Sequence, residues 1–106
     1  MKKTILAITA AAALAACAQS PSAIAPVSMG NAFASVSCGN AQTSLAAERA
    51  NLASLTTAQN SAVAGDAVGV FLIGVPLSSL SGGDKAGEIA TSKGKIVALE
   101  NRLMNC

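Results

Sequence analysis

The sequence has no tryptophan, no tyrosine and no histidine, and Phe33 and Phe71 are its only aromatic residues in a length of 106. A chain of this size without large aromatic side chains cannot build a broad core, which argues against a globular enzyme fold. The missing histidine removes the usual near-neutral acid–base group and the commonest metal ligand. Charge is also scarce, at 11% of residues, and the formal excess of +2 comes from Lys2 and Lys3 at the start. From residue 17 onward, five cationic side chains face five anionic ones. No basic stripe remains for nucleic acid.

Small residues take the place of what is missing. Alanine fills 24 positions, and 23 Ile, Leu, Val, Met and Phe residues lie beyond residue 16. Eight of those 23 crowd between Val68 and Leu80. The material for one small unit is present, but not for two domains.

The start of the chain has the layout of an export signal. Lys2 and Lys3 form a positive n-region, and Thr4 to Leu14 form an uncharged, mostly apolar run too short to span a bilayer. The next residues, Leu14-Ala15-Ala16-Cys17, resemble the lipobox of bacterial lipoproteins at every position. The resemblance implies cleavage between Ala16 and Cys17, thioether diacylglycerol on Cys17, and acylation (palmitate, typically) of the new amino group. Each buried methylene contributes about 0.8 kcal/mol, so three chains hold a protein on a membrane stably. Ala18 follows the cysteine, where Asp would signal retention in the inner membrane. By analogy with enteric lipoproteins, this favours the outer membrane, facing the periplasm.

With Cys17 assigned to lipid, Cys38 and Cys106 form an even pair in an oxidising compartment. An intramolecular bridge is the expected state and would close a loop of about 69 residues, worth roughly 4 kcal/mol in chain entropy at most. Free thiols, a redox pair or an intermolecular bridge are the alternatives, and no C-x-x-C spacing supports redox work.

Residues 1–16 therefore read as a signal helix that is removed, and 17–37 as a flexible tether, small and polar, with Pro21, Pro26 and Gly30 and no charge. From Cys38 the texture changes to helix formers. Cys38, Leu45, Leu52 and Gln59 fall seven apart, and Glu48, Leu55 and Ala62 fall three after them. Asn40, Thr43 and Ser44 are available as caps. Near the other end, Ile89, Ile96 and Leu103 share one heptad position, and Ser92, Leu99 and Cys106 the other. Gly82-Gly83 breaks the chain before this second helix, with Asp84 placed as its N-cap and Glu88 in its first turns.

The expected fold is all-α: an antiparallel two-helix hairpin over residues 38–106, with helices at about 40–64 and 84–105. An apolar tip containing Gly and Pro, about 65–83, joins them. Leu72 lies midway between Cys38 and Cys106, which balances the two arms.

The tip carries Val70, Phe71, Leu72, Ile73, Val75 and Leu77, with Pro76 interrupting any helix. Two roles compete for these side chains: folding back to supply the hairpin's bulky core, or docking on a membrane or a second copy. Ser61, Gly65 and Gly69 repeat at a spacing of four, as on close-packing helix faces. So do Ala46, Ala50, Ser54, Ala58 and Ala62, and then Ala86, Ala90, Gly94 and Ala98. Asp66, beside Gly65, reads as a surface cap or turn, with a buried acid of raised pKa as the alternative.

Leu80-Ser81-Gly82-Gly83 resembles the LSGG signature of ABC-transporter ATPases, with Asp84 where Gln is usual. No G-x-x-x-x-G-K-[ST] accompanies it, so a Gly-Gly turn before a helix is the expected role and no nucleotide is expected. Serines are plentiful, but nothing pairs them with a base, so no catalytic residue, metal or cofactor is expected.

The order of features also resembles a set of short Gram-negative envelope lipoproteins that carry no established activity. The shared features here are Cys17, Cys38, the stretch from Gly69 to Pro76, Gly82-Gly83, Glu88-Ile89, Lys93-Gly94 and Cys106. The expected function is a non-enzymatic, lipid-anchored envelope protein that acts by binding an envelope protein or by self-association. The alternative is a membrane-active protein, such as a lysis or pore component, that inserts its tip.

Overall fold

A computed structural model of the chain describes residues 17–75 and 77–106, with the side chains of Leu77 and Leu80 outside the description. The expectations for residues 1–16, including the Ala16 side of the cleavage point, and for Pro76 lie outside the described residues.

Three helices follow a 3-10 turn at Pro21–Ala23: α1 over Cys38–Ile73, α2 over Leu77–Leu80 and α3 over Ala86–Met104. Among the described residues there is no strand. Helices α1 and α3 pack antiparallel along the heptad seam, with Ala41, Leu45, Gln59 and Ala62 of one and Ile89, Ser92 and Leu99 of the other buried. Cys38 and Cys106 are bonded, with Cα atoms 6.0 Å apart, inside the span of roughly 4.4–6.8 Å that a disulfide needs. The expected all-helical hairpin closed by this bridge is the fold.

The arms are unequal. Helix α1 has 36 residues and α3 has 19, against the two similar helices expected. Gly65 and Asp66 do not end α1, because their side-chain positions are taken up by contacts with α2. A Cβ at Gly65 would lie 3.2 Å from Ser78 Cβ and closer still to its hydroxyl. Gly65 thus serves the fold-back of α2, and Gly69 is buried, whereas Ser61 of the same stripe is exposed. Helix α1 ends where Gly74 adopts φ +75° and donates its N–H to the Val70 carbonyl, the left-handed stop that glycine reaches without strain.

Capping also differs in detail. Ser37, not Asn40, Thr43 or Ser44, caps α1 by accepting the Asn40 N–H at 3.2 Å. Asp84 accepts the Ala86 N–H at 3.0 Å, so it serves the first turn of α3 as expected, from one residue outside the assigned cap.

Among the described residues, a hydrophobic cluster sits at the disulfide end. Ala41, Leu45 and Leu99 form it, with Ile96 and Leu103 from α3 and Phe33 and Val36 from the N-terminal segment packed against them. The molecule is a rod, 61 × 26 × 17 Å, which leaves its two ends far apart.

The largest departure concerns residues 17–37. Expected as a flexible tether, this segment lies as a strap against the hairpin, with Ile24 buried. Val27 N–H donates to the Ala90 carbonyl at 3.0 Å. Gly94 permits this approach: a Cβ there would meet Val27 Cγ2 at 2.8 Å and its carbonyl oxygen closer still. Lys93 Nζ donates to the carbonyls of Pro21 at 2.6 Å and Ile24 at 2.7 Å, and Arg102 Nε donates to that of Val36 at 2.8 Å. The Lys93-Gly94 pair therefore has a local purpose, a cation and a gap for the crossing strap. Of the alanine-rich ladders, Ala46, Ala50, Ser54 and Ala58 are exposed, whereas Gly94 and Ala98 are buried where the strap passes.

Candidate functional site

The strap begins at the tip end of the rod, where two buried polar side chains of α1 hold it. Asp66 is 1% exposed and Gln59 is fully buried. They face inward because 59 and 66 share one heptad position with 45 and 52.

Asp66 accepts the backbone N–H of Ala18 at 2.7 Å and that of Ser79 at 2.8 Å, and the Ser79 hydroxyl as well. Burial alone would raise its pKa. The Ser79 hydroxyl and the amides of Ala18, Ser79 and Ser78 outweigh burial and hold the carboxyl below its ordinary value. Asp66 is therefore neither a surface cap nor an acid of raised pKa. It is a buried carboxylate whose charge is stabilised by hydrogen bonds from the strap and from α2.

Gln59 works beside it. Its Nε2 donates to the Gln19 carbonyl at 2.7 Å and to Asp84 Oδ1 at 2.9 Å, and its Oε1 accepts the Lys85 N–H at 2.6 Å. One amide ties the strap, α1 and the entry to α3 together. Both clamps rest on long-range partners: the Asp66 bonds span 48 and 13 positions. The visible trace in the sequence was a pair of polar residues at seam positions.

Beyond the clamp, the tip residues project. Phe71 is 88% exposed, Leu72 69% and Ile73 62%, with Val68 and Val75 also exposed and Val70 half-buried. Leu77 begins α2. These exposed side chains therefore do not supply the core. Ser79 pairs with Asp66 at the level of that residue, so the last two turns of α1 extend past the fold-back.

A separate groove of about 480 Å³ between α1 and α3 is lined by Glu48, Asn51, Leu55, Glu88, Ser92 and Lys95 among others. Burial raises the Glu48 pKa, but Ser92, Asn51 and the Lys95 charge together bring it below the ordinary value. Gly82 and Gly83 form the turn before α3, with Gly82 at φ +82° and Gly83 N–H bonded to the Ser78 carbonyl at 2.6 Å. Their geometry is that of a turn.

Residues 1–18 match the family model described as the prokaryotic membrane lipoprotein lipid attachment site. The match supports a prokaryotic lipoprotein, held in the envelope by lipid. It ends at Ala18, the residue whose amide Asp66 holds. No curated protein and no solved structure matches the chain.

Proposed function

We propose that the chain is a non-enzymatic envelope protein carrying its lipid on Cys17, and that it acts as a rigid rod for binding or assembly. The observation that carries this reading is the clamp on Ala18 and Gln19 by Asp66 and Gln59. A lipoprotein with a floppy tether can sample many orientations; here the residue next to the lipid is fixed to the hairpin. The rod then presents its grooves and disulfide end at a set distance from the membrane, on the outer membrane facing the periplasm.

The clamp's chemistry also fits a mechanical role. Ser79 donates to a carboxylate whose pKa is lowered, and such a carboxylate is a weak base toward a hydroxyl nucleophile. Partners of this rod are an envelope protein or further copies of itself, and neither nucleic acid nor nucleotide has a place in the reading.

Metabolic labelling with a fatty-acid analogue tests the anchor. The wild-type protein should be labelled and Cys17→Ala should not. Label retained on Cys17→Ala would place the lipid elsewhere and break the link between lipid and clamp.

A further inference from the structure

We infer that the apolar end of α1 inserts into the same membrane leaflet that holds the lipid on Cys17, as a second, shallow point of attachment. This rests on the lipid-anchored reading above and adds an interaction surface and its occupant, a lipid surface.

The geometry of the helix end comes first. Phe71, Leu72 and Ile73 are successive residues, about 100° apart around the axis, so together they cover about 200° of the circumference. All three are mostly exposed. A helix end that exposes three large apolar side chains on most of its circumference belongs in an apolar medium. Between Asp66 and Asp84 the sequence has no charged residue, and Asp66 itself is buried and bonded.

The strap supplies the occupant. Ala18 is bonded to Asp66, five residues before Phe71, a rise of about 8 Å along the helix. Acyl chains on Cys17 therefore leave the rod close to the exposed side chains. The disulfide lies at the other end, about 50 Å along the axis from Phe71 at 1.5 Å per residue. A membrane that receives the lipid already faces the tip.

Depth follows from hydrogen bonding. Gly74 N–H satisfies the Val70 carbonyl, and the later carbonyls of α1 end at the helix terminus, where burial in hydrocarbon is costly. Among the described residues, no helix is long and apolar enough to cross a membrane. Insertion is thus interfacial, on the order of 5–10 Å deep. A second copy is the weaker occupant. The side chains at the end of a narrow rod cover a few hundred Å², short of the roughly 800 Å² per partner of a stable interface.

Tryptophan fluorescence tests this directly, because the natural chain has none. Phe71→Trp and Met104→Trp, both at exposed positions, are prepared as lipidated full-length products and placed in phosphatidylcholine vesicles containing lipids brominated on the acyl chain. Circular dichroism verifies the fold of each. Trp at 71 should be blue-shifted and quenched several-fold more than Trp at 104. The difference should survive roughly 0.5 M salt, since no charge drives the contact. Weak, equal quenching in protein that floats with the vesicles would overturn the insertion and leave the anchor standing. A blue-shifted Trp at 71 that brominated lipid does not quench would mean that protein covers the tip, and would also overturn it. Strong quenching at both positions would mean that the rod lies flat, against end-on insertion. Lipidated protein that fails to float would overturn the anchoring reading and the insertion with it.

Discussion

Cys38→Ser is expected to lower stability by up to about 4 kcal/mol, the loop-entropy value for a bridge between residues 68 positions apart. For a two-helix hairpin whose buried apolar side chains among the described residues are Ala41, Ala62 and Ala98, with Leu45, Ile89, Leu99 and Ile24 the larger ones, that loss is of the same order as the whole folding free energy. The bridge acts where the core is richest, since Phe33, Val36 and Leu103 pack at the same end. Its loss releases the end of α3 and the junction of strap and α1 together. Cys106→Ser and the double variant should match Cys38→Ser, because each removes the same bond. Denaturant unfolding followed by circular dichroism reads the effect. A double variant clearly less stable than either single one would show that the thiols have a further role.

Asp66→Ala is expected to cost about 3 kcal/mol, measured in the same way. The substitution leaves the part-buried amides of Ala18 and Ser79 without their acceptor, and a fully buried orphan costs about 1–3 kcal/mol. Asp66→Asn should recover part of the loss, since its amide oxygen still accepts.

The same group sets an acid limit. Its folded-state pKa is lowered from 3.8, so its contribution is complete above the unfolded-state value. It is lost as pH falls from there through the lower folded value. Stability arising from Asp66 should therefore be flat between about pH 5 and 8 and decline below about pH 4. In Asp66→Ala that part of the decline should be missing, and the gap to wild type should narrow in acid. A gap that widened as pH fell would contradict a lowered pKa.

The hairpin was legible because its information is periodic. Leu45, Gln59, Ile89 and Leu99 fall on heptad positions, and Cys38 and Cys106 stand at equal distances from Leu72. The lengths of the arms were less so, because Gly65, Asp66 and Gly69 look like breakers until Ser78 and Ser79 fold back onto them. The strap was not legible at all. Residues 18–37 have neither charge nor period, and they are held mainly through their backbone: the carbonyls of Gln19, Pro21, Ile24 and Val36 and the amides of Ala18 and Val27. Backbone groups leave no mark in a composition. Their partners do, and Gln59, Asp66, Lys93 and Arg102 are polar residues whose purpose appears only when the strap is laid against them. Their reach across 40 to 72 positions is beyond any local pattern.

The central claim is that the N-terminal segment is a docked strap and not a loose tether. Hydrogen exchange on the natural, oxidised protein measures this at single amides. The Ala18 and Val27 amides, which donate to Asp66 and Ala90, should be protected well above their intrinsic rates, while Gly94→Ala, which blocks the path of Val27, should lose the protection at Val27. Exchange of both amides at the rate of an unstructured chain in the wild-type protein would contradict the account.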